Sequence, residues 1–218
     1  MQKKGQLITG QKHGMLKLIK DFESSLADYT IFVGQSLRYN MNYFELYGLP
    51  VLMKVDTSEI KKKFYELSRQ YHPDFHARSD EAGQAEALEK SADVNKAYKV
   101  FQNADDTIRY VLQMKNLIYD EEKYELDPEF LMEVMEINEQ LMELETGADK
   151  EAVEQCLEKT KELLNQIYNE VAPIIENYQE GATTEKELLQ VKSYYYKKKY
   201  LQRILDKIYQ IRNIASLL

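Results

Sequence analysis

The feature that most constrains the fold is a pattern of apolar residues that repeats with the period of an α-helix through residues 149–179. Its members lie on one helix face, and they are Val153, Cys156, Leu157, Thr160, Leu163, Leu164, Ile167, Val171, Ile174 and Tyr178. Pro173 lies inside this pattern and is expected to kink the helix. A helix with such a face needs other helices to cover it, so the second half of the chain predicts a helical bundle.

Two further helices flank this one. The first is predicted from Pro128 to about residue 144, with an apolar face at Phe130, Val134, Ile137, Leu141 and Leu144. The last is predicted over residues 183–215, with Leu188, Val191, Tyr195, Leu205, Ile208 and Arg212 near one side. Only TGADK and GATT interrupt the pattern, and connections this short make neighbouring helices antiparallel. The sequence therefore predicts an antiparallel three-helix bundle.

Composition extends this prediction to the whole chain. Its 218 residues include only eight Gly and four Pro, and alternating strand patterns are scarce, which predicts an all-α protein. A net charge of −8 argues against a general nucleic-acid binder. The lone Cys156 excludes an internal disulfide and a cysteine-based zinc site, and it indicates a reducing, cytoplasmic location. No apolar run reaches the roughly 18 residues of a membrane span.

The first half predicts a helical hairpin. A short turn of helix near residue 41 precedes a helix capped by Asp56, Thr57 or Ser58. This helix must end by His72, because Pro73 disfavours α conformation in the residue before it. Residues 75–82 are polar and are predicted to form a loop. A return helix over residues 81–101 then carries a second apolar face, and a short closing helix follows it.

These patterns divide the chain into four segments. Residues 1–40 form an N-terminal extension, and they are followed by the helical hairpin at 41–115, an acidic connector at 116–126 and the bundle at 127–218. The extension is rich in bases at its start, which admits a weak targeting segment. A disordered extension, or a start at Met41, is the simpler interpretation.

The tripeptide His72-Pro73-Asp74 lies at the mouth of the predicted loop. A zinc site with His76 would need both histidines on one helix face, and Pro73 breaks the helix between them. A catalytic His–Asp pair would need a nucleophile or a substrate pocket. The other possibilities are a docking surface and a helix end with incidental polar residues.

The context of the tripeptide resembles the J-domain of DnaJ-type co-chaperones. A helix with Lys62 and Arg69 on its outer face leads into His-Pro-Asp, and a return helix follows. This resemblance implies that His72, Pro73, Asp74, Lys62 and Arg69 dock a DnaK-type chaperone and trigger its ATP hydrolysis. The chain itself has no GxxxxGK[ST] loop and is expected to be neither an enzyme nor a cofactor binder.

The helix over residues 127–145 also has apolar residues opposite its predicted core face. Leu131, Met132 and Met135 lie there beside Glu136 and Glu139. An apolar patch rimmed by acids indicates a partner site, and methionine suits an adaptable contact. The alternative is a middle helix that is covered on both sides.

Together, MNYFELYGLP, YHPD and FLMEVMEINEQ resemble the HscB family of J-type co-chaperones over about residues 41–218. This resemblance implies that the chaperone is of the HscA type and that an IscU-type iron–sulfur scaffold protein binds Leu131, Met132, Met135, Glu136, Glu139 and Tyr200. Two positions depart from the family. Asn138 stands where a basic residue is often found, and Phe75 stands where Lys is common.

The hypothesis is therefore a co-chaperone that stimulates an HscA- or DnaK-type ATPase and delivers an IscU-type scaffold. A J-domain protein with another client, a catalyst using His72 and a structural helical protein are the alternatives. The tract KSYYYKKKY, residues 192–200, could also be a nucleic-acid patch. A solvated face with some tyrosine packing is preferred for it, because its residues scatter around a helix.

Overall fold

The computed structural model of the protein describes residues 41–147 and 150–215, which form eight helices and no strand. The helices are α1 (Tyr43–Leu46), α2 (Thr57–Gln70), α3 (Pro73–His76), α4 (Glu81–Gln102), α5 (Ala104–Met114), α6 (Pro128–Thr146), α7 (Lys150–Glu176) and α8 (Glu185–Ala215). This confirms the all-α prediction. The predictions for residues 1–40 fall outside the described residues. In the described ranges, no helix is long and apolar enough to cross a membrane.

Helix α2 begins and ends as its sequence predicts. A carboxylate oxygen of Asp56 accepts a hydrogen bond from the backbone N–H of Ser58 at 2.8 Å, which caps the first turn. The helix ends at Gln70, and Tyr71 is its C-cap. Ile60 on its inner face is buried. Helix α2 therefore turns one face towards α4 and leaves the opposite face exposed.

Aromatic contacts hold the hairpin of α2 and α4 together. Phe64 of α2 stacks on Tyr98 of α4 with ring centroids 4.0 Å apart and 14° between the ring planes. At the far end of α4, Phe101 contacts Phe44 of α1 at 4.8 Å. Such ring pairs add about 0.5–1.5 kcal/mol beyond the burial of their area. Helix α5 closes the same core with Thr107, Ile108, Val111 and Leu112.

The prediction of a loop over residues 75–82 is wrong at its start, whereas the predicted start of the return helix near residue 81 is confirmed. Residues 73–76 form the one-turn helix α3, and α4 already begins at Glu81 with Asp80 as its N-cap. The local reason for α3 is that proline fixes a φ angle suited to the first turn of a helix, and His72 caps that turn. Only residues 77–80 lie between the helices.

The predicted three-helix bundle is confirmed. Asp127 caps α6 by accepting a hydrogen bond from the backbone N–H of Phe130 at 2.8 Å, and Pro128 occupies the first turn. All five residues predicted for the core face of α6 are buried: Phe130, Val134, Ile137, Leu141 and Leu144. Helix α7 continues through Pro173. Helices α6, α7 and α8 contact one another pairwise.

The inward face predicted for the last helix needs correction. Arg212 is exposed and pairs with Glu154 at 2.8 Å, which joins the end of α8 to the start of α7 and shows that these helices are antiparallel. Tyr195 is half-buried. The predicted Leu188, Val191, Leu205 and Ile208 are buried, and Tyr194, Leu201 and Ile204 complete the core face of α8.

The preferred interpretation of KSYYYKKKY, a solvated face with some tyrosine packing, is wrong for three of its four lysines, whereas the tyrosine packing is confirmed by the buried Tyr194. Three of its lysine side chains are only 14%, 18% and 24% exposed, and they form the ion pairs Lys192–Glu122, Lys197–Asp127 and Lys198–Asp105. These pairs join α8 to the connector, to the cap of α6 and to α5. The tract therefore ties the N-terminal helices to the bundle, and the chain from Tyr43 onward forms one compact unit.

Candidate functional site

The His72-Pro73-Asp74 turn has a fixed local geometry. The backbone N–H of Asp74 donates to Nδ1 of His72 at 3.2 Å, so His72 is the N-cap of α3. Because Nδ1 accepts this bond, the neutral ring carries its proton on Nε2. Pro73 restricts the backbone further. Both features narrow the conformations that this exposed turn can adopt.

A second histidine ties this turn to α2. Nε2 of His76 lies 2.9 Å from the backbone carbonyl oxygen of Gln70, and that oxygen can only accept, so Nε2 donates. His72 and His76 thus have separate structural roles. Among the described residues, no group of three His, Cys, Asp or Glu side chains is arranged to hold a metal ion.

The carboxylate of Asp74 is the most accessible group of the turn. Its side chain is 88% exposed, and Oδ2 lies 3.6 Å from Nδ1 of His72. Phe75 is also exposed, and its ring meets the His72 ring edge-on at 6.0 Å. An incoming partner would therefore meet a carboxylate, an imidazole edge and an aromatic ring together.

Lys62 and Arg69 lie on the outer face of α2, with exposed Tyr65 between them. Arg69 is in the last turn of α2, close to the His-Pro-Asp turn, whereas Lys62 is two turns earlier. Within residues 41–147 and 150–215, neither cation takes part in an ion pair. The charge of this face is therefore available to an acidic partner surface.

The exposed face of α6 is apolar. Leu131, Met132 and Met135 are 43%, 73% and 58% exposed, although Val134 and Ile137 on the opposite face are buried. The alternative of a helix covered on both sides is therefore wrong for this chain. Fully burying such a side chain gains about 1.5–3 kcal/mol. A partner that covers this exposed face would therefore gain binding free energy from the area it removes from water.

Two acidic groups accompany these apolar residues, and one of them lies on the side of α7. Glu136 pairs with Lys159 of α7 at 2.6 Å, and its side chain remains 66% exposed. Glu139 is also exposed. The predicted glutamates are thus placed beside the apolar residues and turned to solvent.

Tyr200 of α8 flanks the opposite side of the row. Its hydroxyl oxygen accepts a hydrogen bond from the amide of Asn138 at 3.1 Å, and its ring meets that of Phe130 edge-on at 6.1 Å. The structure therefore brings the predicted aromatic of the last helix next to α6. It also shows why Asn138 is useful in this chain, since its amide reaches the tyrosine hydroxyl.

Met142 belongs to the same face and was missed from the sequence. It is 68% exposed and follows Met132, Met135 and Glu139 at helical spacing. The signal was present, because positions 132, 135, 139 and 142 lie on one side of a helix. We name the set Leu131, Met132, Met135 and Met142 the apolar row.

Two family models match the chain. The DnaJ domain model matches residues 42–110, which include the His-Pro-Asp turn. The model described as the HSCB C-terminal oligomerisation domain matches residues 126–209, which include the apolar row and Tyr200.

A curated relative and two solved structures agree with these matches. The co-chaperone protein HscB homolog of Vibrio vulnificus is 40% identical over 113 residues, which are 51% of this chain and 66% of that protein. The matched segment thus spans just under two thirds of the relative. The chaperone HscB from Vibrio cholerae has a TM-score of 0.59 at 24% identity, over 82% of this chain and 100% of that one, which shows the fold alone. The human co-chaperone protein HscB has a TM-score of 0.62 at 25% identity, over 79% and 82% of the two chains.

The order of the two matched models is the order of the two candidate surfaces along the chain. This order agrees with the structure, in which the His-Pro-Asp turn lies between α2 and α4 and the later bundle carries the apolar row. The chain belongs to the HscB family of J-domain co-chaperones.

Proposed function

We propose that this protein docks an ATPase chaperone of the HscA or DnaK type through the His-Pro-Asp turn and holds an IscU-type iron–sulfur scaffold protein on the apolar row. The protein would act as an adaptor and would not itself be an enzyme. The observation that carries the proposal is the exposed apolar row on the outward face of α6, in a chain that also presents an exposed His-Pro-Asp turn.

The chemistry of the turn supports chaperone docking. Pro73 and the His72 cap limit the entropy that is lost when a partner orders this segment. The exposed Asp74 carboxylate suits a bidentate, charge-assisted contact with a partner arginine. Lys62 and Arg69 add a positive field that would steer an acidic partner surface.

The apolar row and its acidic flank support scaffold binding. Met132 and Met135 would be covered by an apolar surface of the partner, which removes their exposed area from water. Glu136 and Glu139 would face basic groups around that surface. Because one compact unit carries both surfaces, binding both partners raises the effective concentration of the scaffold at the chaperone.

A crossed pair of variants tests the two roles. His72→Gln is expected to abolish stimulation of the chaperone's steady-state ATPase and to leave scaffold affinity unchanged. Met132→Ala/Met135→Ala is expected to weaken scaffold binding and to leave the basal stimulation intact. Each variant is the control for the other.

Each assay also has a contradicting result. Equal ATPase stimulation by wild type and His72→Gln would reject docking through the turn. Chaperone stimulation without measurable scaffold binding by the wild-type chain would indicate a J-domain protein with another client.

A further inference from the structure

A groove of about 380 Å³ lies beside the apolar row, between the connector and α8. Three tyrosines line it, and Tyr196 stacks on Tyr124 with ring centroids 4.3 Å apart and 7° between the planes. Tyr200 lines the same groove. This groove is distinct from the row of α6 side chains, but the two surfaces share Tyr200.

The groove carries a local positive charge in a chain whose net charge is −8. Lys123, Lys199 and Arg203 line it and are all exposed. In the part of the chain that the structure describes, none of the three is in an ion pair. The one carboxylate of the lining, Glu122, is already bound by Lys192 and by the hydroxyl of Tyr196. Three cations of the lining therefore have no ion-pair partner among the described residues.

The surface around the apolar row is thus electrically polarised. On the α7 side the row is bordered by Glu136, which pairs with Lys159 of α7 and is still 66% exposed. On the α8 side it is bordered by Tyr200, beyond which the basic groove begins. A partner that covers the row therefore meets negative charge on one side and positive charge on the other.

We propose that the basic groove binds an acidic stretch of the same scaffold protein whose apolar surface covers Met132 and Met135. The arginine fork of Arg203 suits a bidentate contact with a carboxylate, and the two lysines add point charges. The tyrosine rings give the aliphatic parts of that stretch a flat surface to lie on. Opposite charges at the two borders would allow the scaffold to dock in only one orientation.

This inference rests on the proposed scaffold-binding function and adds the partner chemistry and the docking orientation. A nucleic acid is the less favoured occupant. The groove is short and adjoins an apolar row, whereas single strands need an extended cationic track with stacking platforms.

The test uses the full chain and measures scaffold affinity by calorimetry at low and high salt. Lys199→Glu/Arg203→Glu is expected to raise Kd about tenfold at low salt and to flatten its salt dependence. The matched control is Lys99→Glu/Lys186→Glu, which changes the net charge by the same amount at exposed positions outside the groove. Its scaffold Kd should stay within about twofold of the wild-type value. If the charge reversal unfolds the chain, Lys199→Gln/Arg203→Gln should give roughly half of the effect on a logarithmic scale.

The outcomes separate this inference from the function on which it rests. If the groove variant binds like wild type while Met132→Ala/Met135→Ala loses affinity, the groove assignment is overturned and scaffold binding stands. If both charge variants weaken binding equally, the effect is general and the groove assignment is again overturned. Tighter binding of a single-stranded oligonucleotide than of scaffold, lost in the groove variant, would identify the other occupant. Absence of scaffold binding by wild type would overturn both proposals.

Discussion

Substitutions on the two faces of α6 should have different effects: those on the buried face should lower stability, and those on the exposed face should weaken scaffold binding. Ile137 is 1% exposed, and truncating such a residue to alanine costs about 2–5 kcal/mol of stability. Met132 and Met135 are mostly in water, so Met132→Ala/Met135→Ala should change the free energy of unfolding by less than about 1 kcal/mol. If docking covers only their exposed fractions, each methionine contributes about 1–2 kcal/mol to binding. The double variant should therefore raise the scaffold Kd at least about thirtyfold.

Urea unfolding followed by circular dichroism gives the stabilities, and titration calorimetry gives the affinities. Ile137→Ala should unfold at a clearly lower urea concentration. Under conditions where it is still folded, it should bind scaffold with nearly wild-type affinity. A stability loss above about 2 kcal/mol in the methionine variant, or a Kd change below about threefold, would show that the outward face of α6 supports the fold and not the partner.

Three further outcomes follow from the described contacts. The hydrogen bond from Lys192 lowers the pKa of Glu122 in the folded protein. The ionised Glu122 carboxylate therefore stabilises the fold at pH values above its pKa in the unfolded chain. This contribution is lost as the pH falls through the lowered pKa of the folded state. The stability difference between wild type and Glu122→Gln, from urea unfolding, should hold from pH 7 to about pH 5 and shrink below about pH 4; a constant difference would contradict the assignment. Asp127→Ala removes the cap of Phe130 N–H and should cost about 1 kcal/mol in the same assay, and no loss would show that the first turn of α6 is held otherwise. Met142→Ala should weaken scaffold binding by about threefold to tenfold in calorimetry with unchanged stability; an unchanged Kd would place Met142 outside the contact.

Much of the local structure could be predicted from the sequence. Asp56 was among the cap candidates for α2, Pro128 was predicted at the start of α6, and the core face of α6 was predicted residue by residue. The exposure of Met132 and Met135 followed from the same periodicity. Each of these inferences depends on residues within a few positions of one another, where helix geometry fixes which side chains share a face. The partner roles of these residues stay predictions.

The first turn after Tyr71 shows where local reasoning was insufficient. Polar composition and a proline indicated a loop, yet His72 and Pro73 instead start a short helix. The error lay in the context of the proline, because a proline that ends one helix is also a favoured first residue of the next.

The sequence by itself thus determined the long helices, the core face of α6 and the presence of a His-Pro-Asp turn, since all of these depend on spacing along one segment. Only the tertiary structure decided which distant groups meet. Lys198 pairs with Asp105, 93 positions away, and Tyr200 reaches Asn138, 62 positions away. The same packing leaves Lys199 and Arg203 without a carboxylate partner among the described residues. Helical periodicity tells which way a side chain points from its own axis, but the neighbour that it meets depends on how helices far apart in sequence are packed.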